Sequence, residues 1–118
     1  MADSILFIGW GTAVRGRERN AQDVFQESVE YWGKLQSDGQ IEGLQIVLLD
    51  PHGGDLNGFA LLQGDGEKLD EVRRSEEFTR LVTRANLIVD SLGVVRGVTG
   101  EEVAAALSMG RAQLDELT

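Results

Sequence analysis

The residues best equipped for chemistry cluster in one stretch, DPHGGDLNGF. Its His52 is the only histidine of the chain and stands between Asp50 and Asp55. A carboxylate next to an imidazole can fix the ring tautomer and raise its basicity, so His52 is the candidate catalytic base, with Asp55 as a candidate ligand contact. The plainer reading is a turn, in which Pro51, Gly53 and Gly54 supply the dihedrals and His52 is solvated at a tip. Arg15, Arg17 and Arg19 precede a helix whose first N–H groups favour anions, which makes Arg15 a candidate contact for an anionic group. The alternative there is a solvated loop neutralised by Glu18 and other carboxylates. Trp10 and Trp32 carry the flat apolar surface that lines pockets for aromatic ligands. Trp10 is the candidate binding residue, and Trp32 suits ordinary core.

Other chemistries find no residues to carry them. One histidine and no cysteine provide neither a structural zinc site nor a thiol nucleophile. Gly9, Gly11 and Gly16 lack the spacing of a dinucleotide fingerprint, no phosphate loop is present, and the serines have no nucleophile context. No metal or cofactor is expected. Eleven Lys plus Arg against twenty Asp plus Glu give a net charge of -9, which repels a phosphate backbone, so nucleic acid is not an expected partner. The start, MADSILFIGWG, has Asp3 where a secretion signal would be basic, and no apolar run approaches the ~20 residues of a membrane span. The expectation is a cytoplasmic protein without a membrane partner.

The elements that must position these residues follow from periodicity. Residues 4–13 are β-branched and aromatic and predict a strand with Ile5 and Phe7 on one face and Leu6, Ile8 and Trp10 on the other. Gly9 and Gly11 share the Ile5 face, where a helix backbone or a ligand could approach. Residues 14–20 predict a polar loop ending near Asn20 as a helix cap. The helix then runs to about Ser37, with Ala21, Val24, Phe25, Ser28, Val29, Trp32 and Leu35 on its apolar face and Gln22, Asp23, Gln26, Glu27, Glu30 and Lys34 opposite. Two apolar runs, 44–49 and 59–62, predict a hairpin around the His52 tip, apolar on both faces. Residues 66–89 predict a helix broken near Ser75, which can cap a new turn, with Arg73, Arg74, Glu76 and Glu77 as a surface pair network around the break. A fourth strand is predicted over 90–98. Thr99 and Glu102 have capping-box spacing before a last helix through Val103, Leu107, Leu114 and Leu117, weakened at Gly110.

Strand, helix, strand, strand, helix, strand, helix in one domain of 118 residues is the order of a ferredoxin-like α+β fold. It implies a four-stranded antiparallel sheet, two helices on one face, and an extra C-terminal helix. Helices on one face leave the apolar residues of the other in water, at a cost of about 25 cal/mol per Å². Either the last helix folds across that face or the sheet meets the same sheet of a second copy. One helix covers too little, so a homodimer is the expectation.

The first strand ILFIGWG, the turn DPHGGDLNGF and the run RRSEEFTRLVTRANLIVDSLGVVRG also resemble the dimeric α/β-barrel superfamily, which includes antibiotic-biosynthesis monooxygenase-like and YCII-like proteins. The resemblance implies two sheets closing a barrel across a dimer, and functions ranging from cofactor-free oxygenation to none. YCII-like proteins carry a His–Asp pair, to which His52 is not matched. In such a barrel Trp10 is expected on the face pointing inward, in a pocket with Phe7, Leu48 and Phe59 for a small apolar or aromatic molecule. The alternative is a non-catalytic assembly or regulatory protein acting through its dimer surface.

Overall fold

The computed structural model describes residues 3–118; Met1 and Ala2, part of the stretch read above for a leader, lie outside them. Its elements run β1 (Ser4–Trp10), α1 (Glu18–Ser37), β2 (Gly43–Leu48), β3 (Gly58–Gly64), α2 (Gly66–Arg74), α3 (Glu76–Asn86), β4 (Gly93–Val98) and α4 (Glu101–Leu117). The strands form one antiparallel sheet in the order β2-β3-β1-β4, the ferredoxin-like arrangement.

Register sorts the side chains into two faces. Leu6 pairs with Leu62, and Leu62 with Leu44; Ile8 pairs with Ala60, and Ala60 with Ile46. These residues pack under the helices with Trp32, Leu35, Leu69, Val72 and Phe78. On the opposite face, Val95, Phe7 and Leu61 stand in one row, and Phe59 and Val47 in the next. There the Phe7 and Phe59 rings stack at 5.3 Å, and Val95 is 58% exposed. α4 buries no residue, so within the chain nothing from this helix closes over the sheet.

Local chemistry sets the boundaries. Ser75 breaks the second helical region as expected: its hydroxyl donates to the Val72 carbonyl at 2.7 Å and accepts from the Phe78 N–H at 3.2 Å, ending α2 and capping α3. α1 begins earlier than expected. Its N-cap is Arg17, without a side-chain cap, and the Glu18 carboxylate accepts instead from the Gly16 N–H at 3.0 Å, so Asn20 lies inside the helix. The Thr99–Glu102 capping box is absent: Gly100 is the N-cap of α4, at φ 60, and the Glu102 N–H reaches the Thr99 carbonyl. The expected network around the break is also rearranged, because Glu77 pairs with Arg80 while Arg73 donates to the Val94 carbonyl.

β1 stops at Trp10, short of the predicted residue 13. Residues 11–14 change partner and pair with residues 88–90 through Gly11 N–H to Asp90 O, Asp90 N–H to Thr12 O and Val14 N–H to Ile88 O, each 2.8 Å. Gly11 is pinched between two loops: a Cβ there would lie 2.7 Å from the Asp90 carbonyl oxygen and 2.8 Å from that of Asp55. Both are backbone atoms, so neither can swing aside. Gly11→Ala is expected to lower unfolding free energy by about 1–3 kcal/mol in a urea melt.

Candidate functional site

A cleft of about 610 Å³ opens between the end of the sheet and the helices α1 and α3. This is within the range of small-molecule sites. The apolar stripe of α1 and that of α3 face each other across it, and the 88–92 segment and the end of β1 close its floor. Ile8, Trp32, Phe78, Leu81 and Ile88 make a buried base. Trp10 and Phe25 form an aromatic wall, their rings edge to face at 5.6 Å. Ala21 and Ala85 keep the space open by being small.

Three polar groups of the opening sit on one line of α1. Glu18, Gln22 and Gln26, four residues apart, lie on one side of the helix and contribute to the lining. Gln22 and Gln26 were expected on the solvent face. The opening of the cleft makes them both exposed and wall-forming, and the four-residue spacing from Glu18 was the signal for it. Within the lining, the Ser28 hydroxyl is already spent on the Val24 carbonyl at 2.8 Å. Arg80 and Arg84 of α3 bridge to Glu27 of α1 at 3.0 and 3.2 Å, spanning the two helices beside the cleft. Being exposed, these bridges contribute little energy.

Tyr31 also lines the cleft, and its hydroxyl lies 3.3 Å from the Ser75 hydroxyl. Burial pushes its pKa above the ordinary 10.0; the Ser75 contact opposes this, and the Glu77 carboxylate adds to the rise. Below the ordinary value, folded and unfolded chains both keep the phenol neutral and the stabilisation is complete. As pH rises past it the unfolded chain ionises first, and stability falls until Tyr31 itself ionises. Because it is the only tyrosine, an absorbance titration of the native protein reads it directly and should give a midpoint above that of the urea-unfolded chain.

Of the residues singled out from sequence, the cleft collects Trp10 and Trp32 and leaves Arg15, His52 and Asp55 outside its lining. Trp10 reaches it from the helix side of the sheet, which corrects its assignment to the face pointing away from the helices. Phe7 and Phe59 lie on that other face, so the expected quartet of Trp10, Phe7, Leu48 and Phe59 is split two and two across the sheet. Gly9, on the Phe7 face, admits the Phe7 ring: a Cβ there would lie 2.6 Å from it.

His52 is tied into the tip. The Gly54 N–H donates to Nδ1 at 3.1 Å, so Nδ1 is unprotonated there, and Nε2 donates to the Leu56 carbonyl at 2.6 Å. Both ring nitrogens thus serve the turn. Arg15 and Asp55 are exposed. Among the described residues no group of three His, Cys, Asp or Glu side chains could hold a metal ion, and no helix is long and apolar enough to cross a membrane.

No protein-family model matches the chain, and no curated protein matches it. Solved structures do. An ethyl tert-butyl ether degradation (EthD) family protein of Bacillus halodurans superposes with a TM-score of 0.64 at 11% identity, covering 83% of this chain and 99% of its own. A dimeric protein of unknown function and ferredoxin-like fold from Bacteroides fragilis gives 0.55 at 14% identity, covering 80% and 95%. SnoaB, a cofactor-independent oxygenase of Streptomyces nogalater, gives 0.50 at 16%, covering 84% and 93%. The fold is therefore ferredoxin-like, as the order of the elements implied.

Proposed function

We propose that the protein is a homodimer, paired through its open sheet face, that binds a neutral, flat, hydroxyl-bearing aromatic molecule in the cleft between sheet and helices. The observation that carries this reading is the cleft itself, an apolar cavity walled by Trp10, Phe25, Trp32 and Phe78 with a polar lip of Glu18, Gln22 and Gln26. An aromatic body fills the base, and a hydroxyl reaches the amides of Gln22 and Gln26. The Glu18 carboxylate at the same lip disfavours an anionic ligand. The six apolar side chains of the open face, Ile5, Phe7, Val47, Phe59, Leu61 and Val95, support the dimer, as does the dimeric state of the Bacteroides fragilis protein of the same fold.

The reaction class that such a ligand invites is the cofactor-independent oxygenation for which SnoaB is described, since an electron-rich hydroxyarene can itself react with dioxygen. A second reading, a non-catalytic assembly protein, is favoured by α4, which buries nothing against its own chain. Calorimetric titration separates the readings. A hydroxynaphthalene is expected to bind with micromolar affinity and a naphthoate at least ~10-fold more weakly, and Ala85→Trp, which fills the cleft, should abolish both. Absence of binding by any neutral aromatic probe would remove the ligand and leave the assembly reading.

A further inference from the structure

α4 is a 17-residue helix without a buried residue. Leu107, Leu114 and Leu117 are 71, 65 and 84% exposed, and Val103 is 41% exposed. The chain is correspondingly extended, with a radius of gyration of 16.4 Å against the ~13.5 Å of a compact chain of this length. Each of the three similar folds above covers 80 to 84% of the chain, leaving a share about the size of α4 and its lead-in. An isolated helix of this length is marginal in water, and a central glycine costs it a further ~1 kcal/mol relative to alanine. A helix so built needs a partner.

The stripe itself says what kind. Val103, Leu107, Gly110, Leu114 and Leu117 follow one another at spacings of four, three, four and three, the seam of a helix pair. The seam is nearly symmetric about Gly110. If two copies run antiparallel, Gly110 meets Gly110, Val103 meets Leu117, and Leu107 comes within one residue of Leu114. A Cβ at Gly110 would touch nothing in the chain, so close packing inside the monomer does not require glycine there. A close helix crossing does. A shallow groove bordered by Leu107, Arg111, Leu114 and Asp115 surrounds that position.

We infer that α4 is a dimerisation arm whose occupant is the α4 of a second copy, crossing antiparallel at Gly110. This pairing adds to the sheet-face dimer proposed above. A four-stranded sheet of six- and seven-residue strands covers roughly 400 Å² per copy, so sheet against sheet contributes on the order of 800 Å², short of the ~1,200 Å² of a stable interface. Two helices ~25 Å long and ~10 Å across supply about 500 Å² more. α4 follows β4, one of the two edge strands of that sheet, so one two-fold relation can serve both contacts.

The cysteine-free chain makes the test direct, because a disulfide forms only where Cα atoms come within ~7 Å. Under mild oxidation Gly110→Cys is expected to become a covalent dimer. Val103→Cys and Leu117→Cys are expected to stay uncrosslinked alone and to crosslink when mixed. Self-crosslinking at 103 and at 117 would mean a parallel pair, and no crosslinks at any position would mean no pair; either overturns the proposal. In the full-length chain, Leu107→Glu with Leu114→Glu should weaken dimerisation at least tenfold, and an unchanged dimer would likewise reject the arm. Crosslinking reads the arms and not the sheet, so loss of one contact is distinguishable from loss of the other.

Discussion

Phe7→Lys is expected to convert dimers to monomers, raising the dimer dissociation constant at least ~100-fold. Phe7 occupies the middle of the open face, stacked on Phe59 at 5.3 Å and paired in register with Leu61 and Val95. In a two-fold interface every substitution occurs twice. Each copy would lose about 1.5–3 kcal/mol of aromatic burial, before the cost of desolvating an unpaired ammonium. Two such losses amount to a factor of at least 10². Phe7 does not belong to the helix-side core, so the monomer should keep its circular dichroism spectrum. Sedimentation at micromolar concentration decides the matter: a mass near 26 kDa for wild type, twice the 12.9 kDa chain, and near one chain for the variant. An unchanged mass for the variant would place the dimer contact elsewhere.

Trp32→Ala is expected to lower unfolding free energy by about 3–5 kcal/mol, the cost of removing a large aromatic side chain from a packed core. Trp32 is 5% exposed, belongs to the main hydrophobic cluster, and forms part of the cleft base. Its loss removes the largest α1 side chain in that cluster and leaves a void continuous with the cleft. Trp10→Ala should cost clearly less, because Trp10 is only partly buried. Urea denaturation at a fixed protein concentration measures both, since dimerisation makes stability concentration-dependent. Equal losses for the two variants would contradict the division of the cleft into a buried base and an open wall.

Much of this architecture is legible in the chain. The alternation of β1 assigns Leu6, Ile8 and Trp10 to one face and Ile5 and Phe7 to the other, and the register keeps them there. What alternation does not reveal is which face meets the helices, because both are apolar. That ambiguity put Trp10 on the wrong side and mixed two faces into one expected pocket. The Ser75 break was readable because a single hydroxyl serves both helix ends. The start of α1 was not, since Arg17 caps without a side-chain hydrogen bond and carries no signature. The pairing of residues 11–14 with 88–90 is non-local and rests on backbone groups alone, which no side-chain pattern marks. The His52 tip is conspicuous in sequence for its rare residues, but their chemistry is directed at the turn, whereas the cleft adds to Trp10 and Trp32 commonplace Ala, Val, Leu and Phe residues that stand out only once α1 and α3 are brought together.

The central claim is that the cleft binds a neutral aromatic molecule, and the protein carries its own reporter. Its two tryptophans, Trp10 and Trp32, both line the cleft. Titrating the native protein with a hydroxynaphthalene while following tryptophan emission should give saturable quenching of the wild type, and none beyond that of free tryptophan in Ala85→Trp. Linear, unsaturable quenching of the wild type, identical to that of free tryptophan, would contradict it.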